Sequence, residues 1–280
     1  MKKMLYIVLV CAMCFGVLFA AGCRGNTAGG AGGGAAGGAG GKLIVAMELA
    51  YPPFETKDDA GVPTGVSVDF AKDLGEYLGL KTEIVNTAWD GLIPSLQTGK
   101  ADLVISSMTI TEKRKEEVDF SDPYANAILA ILANKDSGVA SIDDLNRAGM
   151  KVAVKTGSTG HFFAEGNLNN AEIIALTDES ACVTEVSQGK ADGFLYDQLT
   201  IYRNNQMHPD TTAAVFIPFQ NVEYWGAAMQ KGNTELLDGV NGFIKKYTDE
   251  GGFDKLSEKY LAEEKKAFEE LGFKWFFDLS

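Results

Sequence analysis

Asp102-Leu-Val-Ile-Ser-Ser-Met-Thr-Ile-Thr-Glu-Lys-Arg114 is the stretch whose reading decides the fold. Asp102 to Ser106 has the length and apolarity of a buried strand, and Thr111 opens a helix whose first turn is Glu112-Lys113-Arg114. Strands that alternate with helices build a parallel sheet covered on both faces. Upstream, Leu43–Met47 reads as a strand and Tyr51-Pro-Pro-Phe-Glu55 as a loop. Val66–Leu78 reads as a helix with Val66, Phe70, Leu74 and Leu78 on one face and Gly79 as its stop, and Lys81–Val85 as another strand. Gly91–Leu96 begins a helix that tolerates Pro94 only in its first turn.

Downstream the pattern restarts. Ala127–Ala133 is a long apolar run, Ser141–Leu145 an N-capped short helix, and Lys151–Val154 a strand before a helix from about His161. Ile173–Leu176 and Ala191–Tyr196 read as strands around a helix at Ser180–Gln188, and Trp225–Met229 as the last strand. Helices at Leu236–Glu250 and Phe253–Leu261 have no strand of their own and must pack on an earlier unit. The expectation is two α/β lobes, residues 42–126 plus 232–280 and residues 127–231, with crossings near Ala125–Ile128 and Met229–Gly232.

Ligands of such sheets sit beyond the carboxyl ends of strands, where helix N-termini offer unpaired N–H groups. Three strand ends carry suitable chemistry. Ser106, Ser107, Thr109 and the Arg114 fork form a carboxylate holder. Gly157-Ser158-Thr159-Gly160 adds hydroxyls and N–H groups at a helix start, and Asp197 offers an acid to a cation. A carboxylate holder facing an ammonium holder describes an α-amino acid site.

The ends and the composition set the address. Met1-Lys2-Lys3, an apolar run from Met4 to Ala20 and small residues before Cys23 have the layout of a secretory signal. Ala20-Ala-Gly-Cys23 looks like a bacterial lipobox, which implies cleavage before Cys23, lipid on Cys23 and an extracytoplasmic, membrane-tethered protein. The Gly/Ala tract to Gly41 has little side-chain area to bury and reads as a tether. Removing residues 1–22 takes away Lys2 and Lys3 but no acid, so the formal charge moves from −13 to −15. An acidic body argues against nucleic acid and against broad adhesion to anionic lipid. Cys11 and Cys14 lie in the leader, which leaves Cys182 as the one cysteine of the body, expected buried and inert. His161 and His208 are the only histidines; no Cys/His cluster has metal-ligand spacing, and neither metal nor cofactor is expected.

Seven stretches, in order, resemble the bacterial extracellular solute-binding protein family 3, the polar amino-acid receptors of ABC importers. They are Ala50–Glu55, Gly65–Asp69, Ala88–Leu96, Ser106–Arg114, Val118–Tyr124, Val154–Thr159 and Gly189–Gly193. The resemblance implies a two-lobe periplasmic-binding-protein-like fold of type II with two hinge crossings, working as a monomer with a permease and its ATPase. It implies that Arg114 grips the α-carboxylate with Thr109 and Thr159, and that Asp197 takes the α-ammonium with Ser107. Tyr51 and Trp89 would sandwich the side chain, with Glu48 at its far end; Ser106 and Ser158 complete the candidate site. Glu48 would repel an acidic side chain and the two rings would favour a flat or cationic one, so a polar or basic amino acid is expected.

The family's usual Gly-Phe/Tyr-Asp-Val-Asp helix start is here Gly65-Val-Ser-Val-Asp69. A C-terminal addition, Ala267–Ser280, carries Phe268, Leu271, Trp275 and Phe276 and is expected to form an extra helix on the first lobe. Two other readings compete with transport. One is a dehydratase that keeps the amino-acid grip and uses Glu48 or His161 as general acid; the other is a sensor acting through a receptor partner.

Overall fold

Alternation of side chains along each strand explains how the chain builds two layered units. The computed structural model describes residues 41–216 and 218–279. The leader, Cys23 and the tether lie outside the described residues. The chain enters through β1 (Lys42–Met47) and a small hairpin, β2 (Thr56–Lys57) and β3 (Pro63–Thr64). It continues through α1 (Val66–Leu78), β4 (Lys81–Asn86), α2 (Leu92–Gln97), β5 (Leu103–Val104), α3 (Glu112–Lys115) and β6 (Val118–Phe120). After β7 (Ala125–Ala127) come β8 (Leu129–Asn134), α4 (Ile142–Leu145), β9 (Lys151–Lys155), α5 (Thr159–Asn167) and β10 (Glu172–Leu176). Then follow α6 (Glu179–Ser187), β11 (Gly193–Asp197), α7 (Gln198–Met207), β12 (Thr212–Val215), β13 (Glu223–Trp225) and β14 (Ala228–Gln230). Three helices finish the chain, α8 (Thr234–Asp249), α9 (Gly252–Tyr260) and α10 (Ala262–Leu271).

The first sheet runs β4-β1-β5-β14-β6, and the second β10-β9-β11-β8-β12. In the first, β4, β1 and β5 are parallel while β14 runs against both its neighbours. In the second, β10, β9 and β11 are parallel and β8 is antiparallel to both β11 and β12. Each sheet is covered on both faces. On β1, Leu43, Val45 and Met47 join one core while Ile44 and Ala46 face another. On β8, Ala130 and Leu132 face one core while Ile131 and Ala133 face the other. This is period-two burial on two sides, which short all-apolar runs signal. Truncating one such leucine to alanine costs about 2–5 kcal/mol.

The units are joined by β7 and β13, which pair antiparallel with Ala125 opposite Trp225 and Ala127 opposite Glu223. The first crossing strand, β7, covers Ala125–Ala127, and the second, β13, covers Glu223–Trp225. The apolar run Trp225–Met229 is not one strand: it breaks at Gly226, where a Cβ would stand 2.8 Å from the Ile110 side chain. Trp225 stays in the hinge ribbon, while Ala228 and Met229 enter the first sheet between β5 and β6. The crossing expected near Met229–Gly232 is therefore β13, and residues 228–230 belong to the first lobe rather than to a second lobe ending at 231.

Helices α8 and α9 close the first core, with Leu236, Val240, Phe243, Phe253 and Leu256 buried beside Phe70 and Leu74 of α1. The C-terminal addition differs from expectation. Its helix, α10, starts at Ala262 and stops at Gly272, which adopts φ 71° in the left-handed region. Trp275 and Phe276 follow in irregular backbone, and Phe268 and Phe276 are buried in the first core. Among the described residues no helix is long and apolar enough to cross a membrane.

Candidate functional site

A cavity between the lobes collects the expected residues. Glu48, Tyr51, Trp89, Ser106, Ser107, Thr109 and Arg114 line it from the first lobe, and Ser158, Thr159 and Asp197 from the second. The sequence did not single out its other walls, which are Glu55, Ala127, Ile128, Leu129, Tyr196, Glu223 and Trp225. The cavity leaves about 50 Å³ for the centres of water-sized atoms, several times the ~10–15 Å³ that one water needs.

Arg114 reaches the cavity because Thr111 caps α3, its Oγ1 accepting from the Arg114 N–H at 3.2 Å. The guanidinium is buried, donating to Thr109 O at 2.6 Å and, across the cleft, to Gly157 O at 3.1 Å. Its Cζ lies 5.2 Å from the centre of the Trp89 ring. Burial pulls its pKa down to about 10, still far above neutrality, so the charge persists. Both hydrogen-bond partners are neutral carbonyls, and none of the ion pairs among the described residues includes it.

Asp197 ends β11 and caps α7. Its Oδ1 accepts from the N–H groups of Leu199 at 2.9 Å and Thr200 at 3.1 Å. Its Oδ2 is buried and has no hydrogen-bond partner, and the same is true of Tyr51 Oη. These two groups perturb each other's titration without completing a bond of normal geometry. Burial raises the Asp197 carboxyl above its usual range, and burial followed by the Asp197 charge raises the Tyr51 phenol. An unpaired buried oxygen costs about 1–3 kcal/mol, more when charged. The site therefore holds a guanidinium on one lobe, bonded to neutral carbonyls and attracted by the Glu223 charge on the cavity wall, and on the other lobe a carboxylate oxygen without a hydrogen-bond partner.

Ser106 and Ser107 donate hydrogen bonds to Glu55, which follows the Pro52-Pro53 turn. Ser106 Oγ donates to Glu55 Oε1 at 3.3 Å and Ser107 Oγ to Glu55 Oε2 at 3.1 Å. Ser107 sits at φ 48°, a left-handed conformation that side chains rarely adopt, which marks a strained position at the cavity wall. Burial pushes the Glu55 carboxyl to about 8, so it is largely neutral at pH 7. Ser106 Oγ also accepts from the Glu48 N–H at 3.0 Å.

Glu48, on the cavity wall, has a partner from outside the cavity lining. Glu48 is ion-paired with Lys155, which comes from the opposite lobe and is 4% exposed. Lys155 Nζ lies 5.4 Å from the Trp89 ring centre, so that ring lies close to both Arg114 and Lys155. The signal for Lys155 was present: it follows the apolar strand Lys151–Val154 at the carboxyl end, the same position that singled out Asp197. Tyr51 lines the cavity from within an aromatic cluster, stacked on Phe54 at 5.5 Å and edge-on to Trp225 at 6.1 Å.

Ser158 and Thr159 open α5, with Ser158 Oγ accepting from the His161 N–H at 3.1 Å. His161 is structural here: its Nδ1 accepts from the Gly157 N–H at 3.0 Å and its Nε2 lies 3.3 Å from Glu165. Gly160 lets α5 approach β11, since a Cβ there would lie 2.3 Å from Leu195 O. Cys182 is buried and unpaired in the second-lobe core. No group of residues that could hold a metal ion occurs among the described residues.

The profile of the bacterial extracellular solute-binding proteins, family 3, matches residues 43–263. The L-cystine-binding protein TcyJ of Escherichia coli K12 is 33% identical over 223 residues, 79% of this chain and 83% of that protein. The probable histidine-binding protein of Neisseria gonorrhoeae is 33% identical over 269 residues, 94% of this chain and 97% of that protein. Among solved structures, the ancestral amino acid-binding protein AncCDT-1, a precursor of cyclohexadienyl dehydratase, is 40% identical with a TM-score of 0.72, covering 79% of this chain and 95% of that one. The two-sheet architecture with paired crossings, the ordered sequence match and these likenesses agree: the chain belongs to the bacterial extracellular solute-binding proteins, family 3.

Proposed function

We propose that the protein is the substrate-binding component of an amino-acid ABC importer and captures a polar L-amino acid between its lobes. The observation that carries this is the pairing across one cavity of the buried Arg114 guanidinium with the unpartnered Asp197 Oδ2. Arg114 would take the α-carboxylate and Asp197 the α-ammonium, with Thr109, Ser107 and Thr159 assisting. An amino acid that touches both lobes favours the closed form by its differential affinity for it. The permease would read that closed shape. Lipid on Cys23 would hold the monomer at a bacterial membrane surface, and mass spectrometry of the mature N-terminus tests that.

The Glu48–Lys155 pair shapes the choice of ligand. Glu48 is not a free carboxylate waiting for a cation, because Lys155 balances it. A side chain with a donor, such as a carboxamide or a second amino-acid head, suits the Glu48 end of that pair, which borders the cavity. A purely cationic side chain must compete with Lys155 for Glu48. Calorimetric titration of the twenty amino acids and cystine tests the reading. Micromolar or tighter binding of at least one polar L-amino acid supports it, and no binding by any of them refutes it.

Binding rather than catalysis is the reading we favour. Of the two acids a dehydratase would recruit, Glu48 is ion-paired and His161 is engaged by Gly157 and Glu165 outside the cavity wall. Turnover of prephenate or arogenate by the pure protein would overturn this.

A further inference from the structure

We propose that residues 272–279 brace the hinge, and that Asn126 is the positioning residue through which this segment holds the lobes closed. The segment lies beyond residue 263, where the family match ends. It runs beside β7. The Asn126 N–H donates to Phe276 O at 2.6 Å, and its Nδ2 donates to Trp275 O at 2.8 Å and Asp278 O at 2.6 Å. β7 already pairs with β13. The C-terminal segment therefore adds a turn, closed by the Asp278 N–H on Trp275 O at 3.2 Å, to a two-strand hinge, at a residue only 2% exposed.

The segment is anchored on one lobe and leans on the other. On the first lobe, Phe277 stacks on Phe253 at 4.6 Å and Trp275 Nε1 donates to Ser257 Oγ at 3.2 Å. Phe276 stacks on Trp225, a cavity wall, at 5.5 Å. On the second lobe, Phe273 meets Phe216 at 4.7 Å, and Phe216 packs on the core that contains Cys182 and Phe194. Phe268, on α10, meets Tyr202 of α7 edge-on at 6.1 Å. Rotation about β7 and β13 moves Phe216 and Tyr202 while the anchors stay, so opening disrupts or strains these ring contacts. Removing the brace should lower the closed population. This inference rests on the reading above that ligand binds by closure, because apparent affinity scales with the closed fraction.

The test is Phe273→Ala in the full chain. Small-angle scattering without ligand reads the closed population, and calorimetry with L-glutamine and L-arginine reads affinity. The brace predicts a larger radius of gyration and binding weaker by about 2- to 13-fold, the span of one aromatic pair. Phe216→Ala, which removes the same ring pair from the other lobe, must give the same two shifts, and Phe273→Tyr must restore both. A variant that melts earlier but keeps its radius and affinity would show that the segment only fills space and would overturn the proposal. The scattering result needs no ligand. A wild-type protein that binds no amino acid would therefore refute the functional reading and leave the brace to be judged on its own.

Discussion

Replacing Asp197 by asparagine should move binding and stability in opposite directions. The asparagine Oδ1 can still accept from Leu199 and Thr200, so the cap on α7 survives. On the proposed binding mode, the α-ammonium loses its ionic partner. Truncating one side of a buried charge pair costs ~2–5 kcal/mol, which is about 30-fold to a few thousand-fold in dissociation constant. The unliganded protein gains instead. Its Oδ2 is buried without a partner, and the new amide can donate to Tyr51 Oη, which also lacks one. Relief of about 1 kcal/mol raises the melting temperature by roughly 2–4 °C for a body of this size. Calorimetric titration and thermal unfolding of the two proteins, side by side, provide the numbers. If Asp197→Asn binds the same amino acid within threefold of wild type, the ammonium role is wrong. If it loses stability and affinity together, Asp197 is a structural cap and nothing more.

Other perturbations follow from the same geometry. Arg114→Lys keeps a charge but loses the fork, and should weaken the preferred amino acid by about 100-fold in an equilibrium titration. Glu55 has a folded-state pKa raised to about 8 from 4.5, so below the lower value it carries no penalty, and folding stability declines as pH rises from there towards 8. The slope from this group is at most ~1.4 kcal/mol per pH unit, and Glu55→Gln should flatten the measured curve over that window. Lys155→Met frees Glu48 and should shift preference towards cationic side chains, seen as a rise in the arginine-to-glutamine affinity ratio; an unchanged ratio would remove the pair from the selectivity argument. Gly160→Ala pushes a methyl to within 2.3 Å of Leu195 O and should lower stability by about 1–3 kcal/mol in chemical unfolding.

Much of the fold was legible because short, β-branched apolar runs bounded by turn residues, such as Leu43–Met47 and Val152–Val154, have the length and composition of strands buried on both faces. Arg114 and Asp197 were legible for the same reason: each follows a strand end where ligands collect. The misplaced crossing was not, because Trp225–Met229 looks like one strand until Gly226 is seen packed against Ile110. Lys155 escaped notice because its partner lies 107 positions away on the other lobe. Glu55 escaped because a carboxylate in a Pro-Pro loop normally faces water, and its serine partners stand 51 and 52 positions on. The C-terminal aromatics suggested a helix, whereas Gly272 ends it and turns them onto the hinge.

The most direct measurement compares the preferred amino acid with two derivatives of it, one acetylated on the α-nitrogen and one amidated at the α-carboxyl. A guanidinium and a carboxylate that meet two opposite charges predict that either cap abolishes detectable binding. Retention of either derivative at near-parent affinity would contradict the account, because one of the two charged ends would then go unread.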